Sequence, residues 1–349
     1  MRIALLFHKN PFTPPASIDL IRLRAIAFGL QDLGSEVEIV APIRSAALLA
    51  QRIPIVPTEA LAERGRYHVV KACYHFSIEL LGAYEGPLVC RLVRVVDQKL
   101  PLRDELWRRR LLDCQAIAAE RASAVVLNNR ENRTRWHKLY GHRQEVILVP
   151  TGCPKVLPVM GLDPYRSRLP IVLFLGSLAA PRMVRLLNRA AGLLKGSAEV
   201  HLVGRSKIHL YGAGHEALTG DVVDHGEYPE EEAWDFVRHA RIGLALAAGP
   251  NRFDNDVSKI VTYLRGGLPT LAEDRIVTNR LITQTGFGDV FRYGDVDDLV
   301  FRVNGLLRQD FALLRPGVMT LLQENHCWEN RALILHRFFS RLLDESTVP

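Results

Sequence analysis

The sequence predicts an α/β protein built from two Rossmann-like, doubly wound domains. Three observations carry this expectation. Short apolar runs alternate with segments of helical period in both halves. A proline-rich stretch without periodic pattern separates the halves, and the 349 residues suit two domains of about 150 to 170 residues better than one. With 48% hydrophobic and 24% charged residues, the chain can build two cores.

The opening run Met1-Arg2-Ile3-Ala4-Leu5-Leu6-Phe7 is short and is followed by His8-Lys9-Asn10-Pro11. It reads as a first strand and not as a signal peptide, which predicts a cytoplasmic protein. No apolar run reaches the ~18 residues that a membrane span needs. Five cysteines, Cys73, Cys90, Cys114, Cys153 and Cys327, have neither pair nor metal spacing and read as reduced and structural. A net charge of +7 implies an anionic partner, either a phosphorylated substrate or an acidic membrane face. Nucleic acid is not expected, because no basic stripe interleaved with aromatics and no reading motif is present.

Strands are expected at 3–7, 37–40, 68–72, 88–93, 124–127 and 145–149, with a helix over 18–33 that stops at Gly34, so the chain opens on a βαβ unit. The first loop, Asn10-Pro11-Phe12-Thr13-Pro14-Pro15-Ala16-Ser17, is stiff and poor in backbone donors, which speaks against a dinucleotide in this half. Residues 102–122 suit an amphipathic helix whose cationic face includes Arg108, Arg109 and Arg110 beside Trp107. It is either a solvated face or an interfacial helix on anionic lipid, with Trp107 at headgroup level. Arg91, Arg94, Lys99, Arg103 and Arg121 complete the basic concentration.

Residues 153–170, with Pro154, Pro158, Pro164 and Pro170, read as the interdomain linker. The expected division is therefore 1–152, linker 153–170, 171–325 and a final helical segment 326–349. The second half restarts with a buried strand at 171–176, then a helix over 183–194, a strand over 198–203 and a helix over 230–240. At its centre lies a strand, loop, helix, strand unit over 243–273: an apolar run from Gly243, the polar loop Gly249-Pro250-Asn251-Arg252-Phe253-Asp254-Asn255-Asp256, a helix ending at Gly266-Gly267, and a second apolar run. Its loop and helix start belong at the carboxyl end of a parallel sheet, where such sheets bind ligands. A helix start suits an anion such as a diphosphate, and Lys259 would add a point charge beside Ser258. The plain alternative is that Asp256 or Ser258 caps the helix while Lys259 is a solvated surface charge. A further strand at 290–293 and helices over 296–307 and 326–343 follow.

Nearly the whole chain resembles the GT-B fold glycosyltransferases, and in style their retaining group 1, family 4-like enzymes. Ser258, Lys259, Gly267 and Pro269 fit the donor-binding segment of that family, and Val149-Pro150-Thr151-Gly152 fits its boundary motif. The resemblance implies two domains facing a central cleft, a final helix that crosses back to the first domain, and a nucleotide-sugar donor on the second. It places Gly176, Ser177 and Arg182 at the donor diphosphate, with Gly204 and Arg205 at the next turn. The stretch 223–228, with Tyr228, would lie at the nucleobase. Asp254 and Thr262 stand where the family has paired glutamates, and Asn255 and Asp256 lie between them as sugar and cap contacts. The family's catalytic-pocket His is replaced by the stretch Arg94-Val95-Val96-Asp97.

An inverting enzyme of this fold needs a carboxylate base, and Asp97 is the expected one, with a salt bridge to Arg94 or Lys99 as the structural alternative. His8, Asn10, His75 and Arg94 are expected on the acceptor side. The expected activity is transfer of a sugar from a UDP- or GDP-sugar to a hydroxyl acceptor, a glycan or lipid-linked glycan, with no metal and no further cofactor. The enzyme would be peripheral on the inner face of the membrane if its cationic helix touches lipid. The alternatives are a noncatalytic relative that acts as a binding partner, or a sugar-nucleotide epimerase.

Overall fold

The computed structural model describes residues 1–12, 17–98, 105–205 and 216–346. The chain forms two compact units, Met1–Pro150 with Trp328–Pro349, and Thr151–Cys327. The expected positions Pro14, Pro15, Lys99 and Arg103 lie outside the described residues.

In unit 1, β1 (Arg2–Leu6) leads through α1 (Ile18–Asp32) to β2 (Glu36–Val40), a short β3 (Ala47–Leu49) and β4 (Ile53–Val56). Then come β5 (Val69–Ala72), β6 (Leu88–Arg91), α2 (Glu105–Arg121), β7 (Ala124–Leu127), α3 (Arg130–Tyr140) and β8 (Glu145–Leu148). The sheet order is β3-β4-β2-β1-β5-β6-β7-β8, parallel except for the β3–β4 pair. Strand β1 is buried on both faces. Ile3, Leu5 and Phe7 enter one core and Ala4 and Leu6 the other, which is why its sequence is a continuous apolar run.

Three expectations for this half need correction. The β3–β4 hairpin escaped the sequence reading because its turn places Ala50 and Gln51 in left-handed conformations (φ 47° and 56°) without the Asn or Gly that normally marks such a turn. Helix α3 was missed because its residues are mostly charged or polar; only Asn132 and Trp136 are buried, and the helix is set by its cap, Asn129, which accepts from Asn132 N at 2.8 Å. The reading of Trp107 at lipid headgroups is the third and gains no support, since that half-buried side chain packs against the core under α2, and Arg94 lies 5.0 Å over its ring. Arg108 pairs with Glu105 and Arg110 with Glu79, so two of the three clustered arginines have carboxylate partners.

Unit 2 runs β9 (Ile171–Leu175), α4 (Pro181–Leu194), β10 (Glu199–Val203), β11 (Val222–Asp224), α5 (Glu230–His239), β12 (Ile242–Ala245), α6 (Ser258–Arg265), β13 (Thr270–Glu273), α7 (Asn279–Thr285), β14 (Gly288–Phe291), α8 (Val296–Leu307) and α9 (Arg315–Asn325). Its parallel sheet is ordered β11-β10-β9-β12-β13-β14. Connections run to one side of β9 and then to the other, so the order reverses between β9 and β12. The last helix, α10 (Trp328–Ser346), belongs to unit 1. It lies on α1 so closely that a Cβ on Gly29 would come within 2.5 Å of Ala332 Cβ, and Leu335, Phe338 and Phe339 complete that core.

All five cysteines are free and buried. Among the described residues, no helix is long and apolar enough to cross a membrane.

Candidate functional site

The reversal between β9 and β12 opens the sheet of unit 2 at its carboxyl end, and one side chain holds it open. Tyr263, fully buried on α6, accepts from Leu175 N at 2.7 Å, and its hydroxyl lies 3.2 Å from the carbonyls of Leu173 and Leu244. It satisfies backbone groups of two strands that pair directly only at Ile242↔Val172 and Gly243↔Leu173. Gly243 makes the room, because a Cβ there would meet the tyrosine ring at 2.5 Å. Neither Tyr263 nor Gly243 was singled out in the sequence, where both read as ordinary members of apolar runs.

Above this opening the backbone is bare. Gly176 ends β9 (φ 119°) and Gly204 ends β10 (φ 140°), both in conformations that favour glycine. A Cβ on Gly204 would lie 2.6 Å from the Gly176 carbonyl oxygen, and a Cβ on Gly176 would lie 3.0 Å from Lys259 Nζ. Gly204 N donates to Gly226 O at 2.7 Å, which ties the next turn into the same floor. Two helices begin here, α4 after β9 and α6 after β12. Their N-cap residues are Ala180 and Val257, and neither makes a side-chain capping bond. Two helix N-termini thus present first-turn amides and positive dipole ends without a capping side chain.

Lys259 lies in the first turn of α6. Its ammonium sits 4.9 Å over the Phe174 ring and pairs with no carboxylate among the described residues. Burial lowers its pKa from the ordinary 10.5 to about 8. It is therefore not the solvated charge of the plain reading, and neither Asp256 nor Ser258 caps the helix. A half-buried cation with no counter-ion among the described residues, beside uncapped helix starts and a glycine floor, is arranged to receive an anion.

The remaining donor-side expectations divide. Ser177 and Ser258 lie at the starts of these turns, and neither hydroxyl has a partner among the described residues. Arg182, on the first turn of α4, donates to Glu273 and, through Nε at 2.8 Å, to the Tyr293 hydroxyl. Its Nη1 is buried without a partner. Glu273, at the end of β13 and fully buried, also accepts from Ala247 N at 2.6 Å and Gly294 N at 2.9 Å, so one carboxylate ties α4 to the loops after β12 and β14. Burial pushes its pKa up, against the pull of Arg182 and the two amides. The signal for Glu273 was a charged residue directly after the apolar pair Leu271-Ala272.

Three expected contacts have partners within the fold. Asn255 is buried, accepts from Ala248 N, and donates to the carbonyls of Gly249 and Asn251, so it knits its own loop. Asp256 accepts from the Thr278 hydroxyl at 3.1 Å. Thr262 bonds back to Ser258 O one turn below, at 3.3 Å. Tyr228 rests on Phe236, with ring centroids 4.8 Å apart, and exposed Arg205 approaches Glu227 at 3.9 Å. Asp254 ends the short 3₁₀ turn Arg252–Asp254, and its side chain lies outside the described residues.

In unit 1 the acceptor-side candidates also gather at carboxyl strand ends. His8 follows β1 and stacks on Tyr74 (centroids 4.8 Å), while His75 follows β5 between Tyr74 and Phe76. Burial lowers the pKa of His8 to about 4 and that of His75 to about 2, so both imidazoles are neutral at pH 7. Neither ring nitrogen of His75 has a hydrogen-bond partner among the described residues. Asn10 builds the turn after β1 by accepting from Phe12 N at 2.9 Å. Asp97 pairs with Arg135 of α3 at 2.7 Å, a partner from outside the stretch in which the sequence reading sought one. Among the described residues, no group of three or more His, Cys, Asp or Glu side chains is placed to hold a metal ion.

No family model matches the chain, and no curated protein matches it by sequence. Solved structures do. The chain is similar to sucrose-phosphate synthase from Thermosynechococcus elongatus, with TM-score 0.74 and 15% identity over 99% of this chain and 100% of that one. It is also similar to Anabaena HepE in complex with UDP and glucose, with TM-score 0.78 and 13% identity over 98% and 100%. A third is WaaG, a glycosyltransferase involved in lipopolysaccharide biosynthesis, with TM-score 0.60 and 14% identity over the full length of both chains. The fold is that of the GT-B glycosyltransferases.

Proposed function

We propose that the chain is a glycosyltransferase that takes a sugar from a nucleoside-diphosphate sugar bound at the carboxyl end of the unit 2 sheet. The single observation that carries this reading is Lys259: a half-buried ammonium without a counter-ion among the described residues, against a glycine floor and two uncapped helix starts. A diphosphate supplies the missing charge and accepts hydrogen bonds from the amides. The UDP held by Anabaena HepE, which shares the fold, supports a uridine donor.

In the reaction, an acceptor hydroxyl attacks the anomeric carbon, the bond from that carbon to the diphosphate oxygen breaks, and the hydroxyl proton passes to a base. The leaving diphosphate gains charge as the bond breaks. Lys259 and the helix dipoles stabilise that charge, so the reading needs no metal. The acceptor belongs on unit 1, near His8 and the aromatic side chains Tyr74 and Phe76. The part that WaaG plays in lipopolysaccharide biosynthesis supports a glycan or lipid-linked acceptor. Asp97 is carried as the base, held in place by Arg135.

The test is a set of UDP- and GDP-sugars incubated with the protein and glycan acceptors, with release of free nucleotide as the readout. Release that depends on the enzyme is the expected result. Nucleotide binding without transfer or hydrolysis would make the chain a binding protein that uses the fold without its chemistry, a reading to which the inward bond of Thr262 lends weight. No nucleotide binding at all would refute the proposal.

A further inference from the structure

One short loop of unit 2 turns a group of large apolar side chains outward. Val156 is 81% exposed, Val159 94%, Met160 58% and Leu162 91%, while Leu157 between them packs inward on the core around Tyr165 and Trp234. The loop is firmly seated. Arg238 on α5 donates to the carbonyls of Pro158 (2.8 Å) and Val159 (3.3 Å), and Asp235 accepts from Gly161 N at 2.7 Å. The His239 ring lies 3.2 Å from the Gly161 carbonyl. A Cβ on Gly161 would lie 2.3 Å from Asp235 Oδ2, so a larger residue there would have to shift that carboxylate. Helix α5 therefore grips the loop's backbone while the aliphatic side chains face outward.

The same segment of chain carries three cations, while the acids of α5, Glu230, Glu231 and Glu232, lie in its first turn. Lys155, Arg166 and Arg168 are exposed, and none pairs with a carboxylate among the described residues. Asp163, the acid within the segment, accepts from Tyr165 N at 2.9 Å.

We infer that this loop is a membrane-contact surface that seats unit 2 on an anionic lipid bilayer. Aliphatic side chains on a bonded backbone can enter the acyl boundary without stranding the peptide groups that Arg238, Asp235 and His239 already engage. Unpaired cations beside them meet anionic headgroups. A protein partner would call for aromatic anchors, and residues 155–162 contain none. The surface is separate from α2, where Arg108 and Arg110 are paired and Trp107 is turned inward. It also stands apart from the transfer reaction proposed above.

The test is co-sedimentation of the full chain with vesicles of phosphatidylcholine containing about one quarter phosphatidylglycerol, against phosphatidylcholine alone. The wild type should bind the anionic vesicles and release as salt rises. Val159→Asp with Leu162→Asp should lower the partition coefficient at least about tenfold, since each change places a charge in the apolar boundary. Arg166→Glu with Arg168→Glu should lower it and flatten its salt dependence, whereas Arg109→Glu on α2 should leave it unchanged. Circular-dichroism melts at the wild-type temperature show that the variants are folded, whatever their nucleotide binding. Failure of the wild type to bind anionic vesicles overturns the inference, as does wild-type binding by the Val159/Leu162 variant. A dimer in gel filtration that those same substitutions dissociate would also overturn it, because a second copy would then cover the loop.

Discussion

Lys259 shows how a binding site sets itself against stability. Its half-buried ammonium lies over the face of Phe174 with no carboxylate partner among the described residues, and burial lowers its pKa to about 8. Lys259→Met should therefore stabilise the protein at pH 7, by up to about 3 kcal/mol if the whole shift is recovered. The sign follows from proton binding. Between pH 8 and 10.5 the unfolded chain still holds the proton that the folded one has shed, so wild-type stability rises with pH across this window. The advantage of the methionine variant should shrink over the same range in thermal melts, and a constant advantage would show that the ammonium is not the cause. Glu273 poses the opposite case, a buried carboxylate with a full set of donors. Glu273→Gln places an amide N–H₂ among those donors. It should cost about 3 kcal/mol in denaturant unfolding and weaken diphosphate binding through a displaced Arg182. A neutral result would mean that α4 and the two loops hold themselves.

At the scale of elements, the opening in unit 2 is made by a residue that belongs to neither strand it separates. Tyr263→Phe leaves Leu175 N without its acceptor and should cost about 1–3 kcal/mol, with weaker nucleotide binding as β9 and β12 relax toward each other. An unchanged melting temperature would show that water replaces the hydroxyl. The order of strand, loop, helix and strand over 243–273 was legible in the sequence because both strands are buried on two faces and carry unbroken apolar runs. The directions of Asn255 and Thr262 were not legible. Each bonds to backbone that is near only after the loop and helix have folded, and sequence spacing carries no record of that. The helix start at Ser258 was legible, with Ser258 and Lys259 in its first turn; what the sequence left open was the cap, where a Ser or Asp nearby suggests one but α6 begins behind a valine. Helices α3, α7 and α9 were missed because short or charge-rich helices give little apolar periodicity.

At the scale of the molecule, the alternation of strands and helices fixed the fold class, and composition added only bounds. A charge of +7 called for an anion without saying where it binds. On α2, whose cationic face read as either solvated or interfacial, Arg108 and Arg110 pair with Glu105 and Glu79, and the exposed aliphatic loop of unit 2 drew no notice in a stretch read only as linker. The central claim is that the carboxyl end of the unit 2 sheet is a nucleoside-diphosphate site centred on Lys259. Calorimetric titration of UDP tests it most directly, carried out on the wild type and on Lys259→Met from pH 7 to pH 9.5. The wild type should bind one UDP per chain, with affinity falling by up to about tenfold per unit as pH rises above 8. The variant should bind at least about tenfold more weakly at pH 7, with no such fall. Equal UDP affinity in the two proteins across that range would contradict the claim.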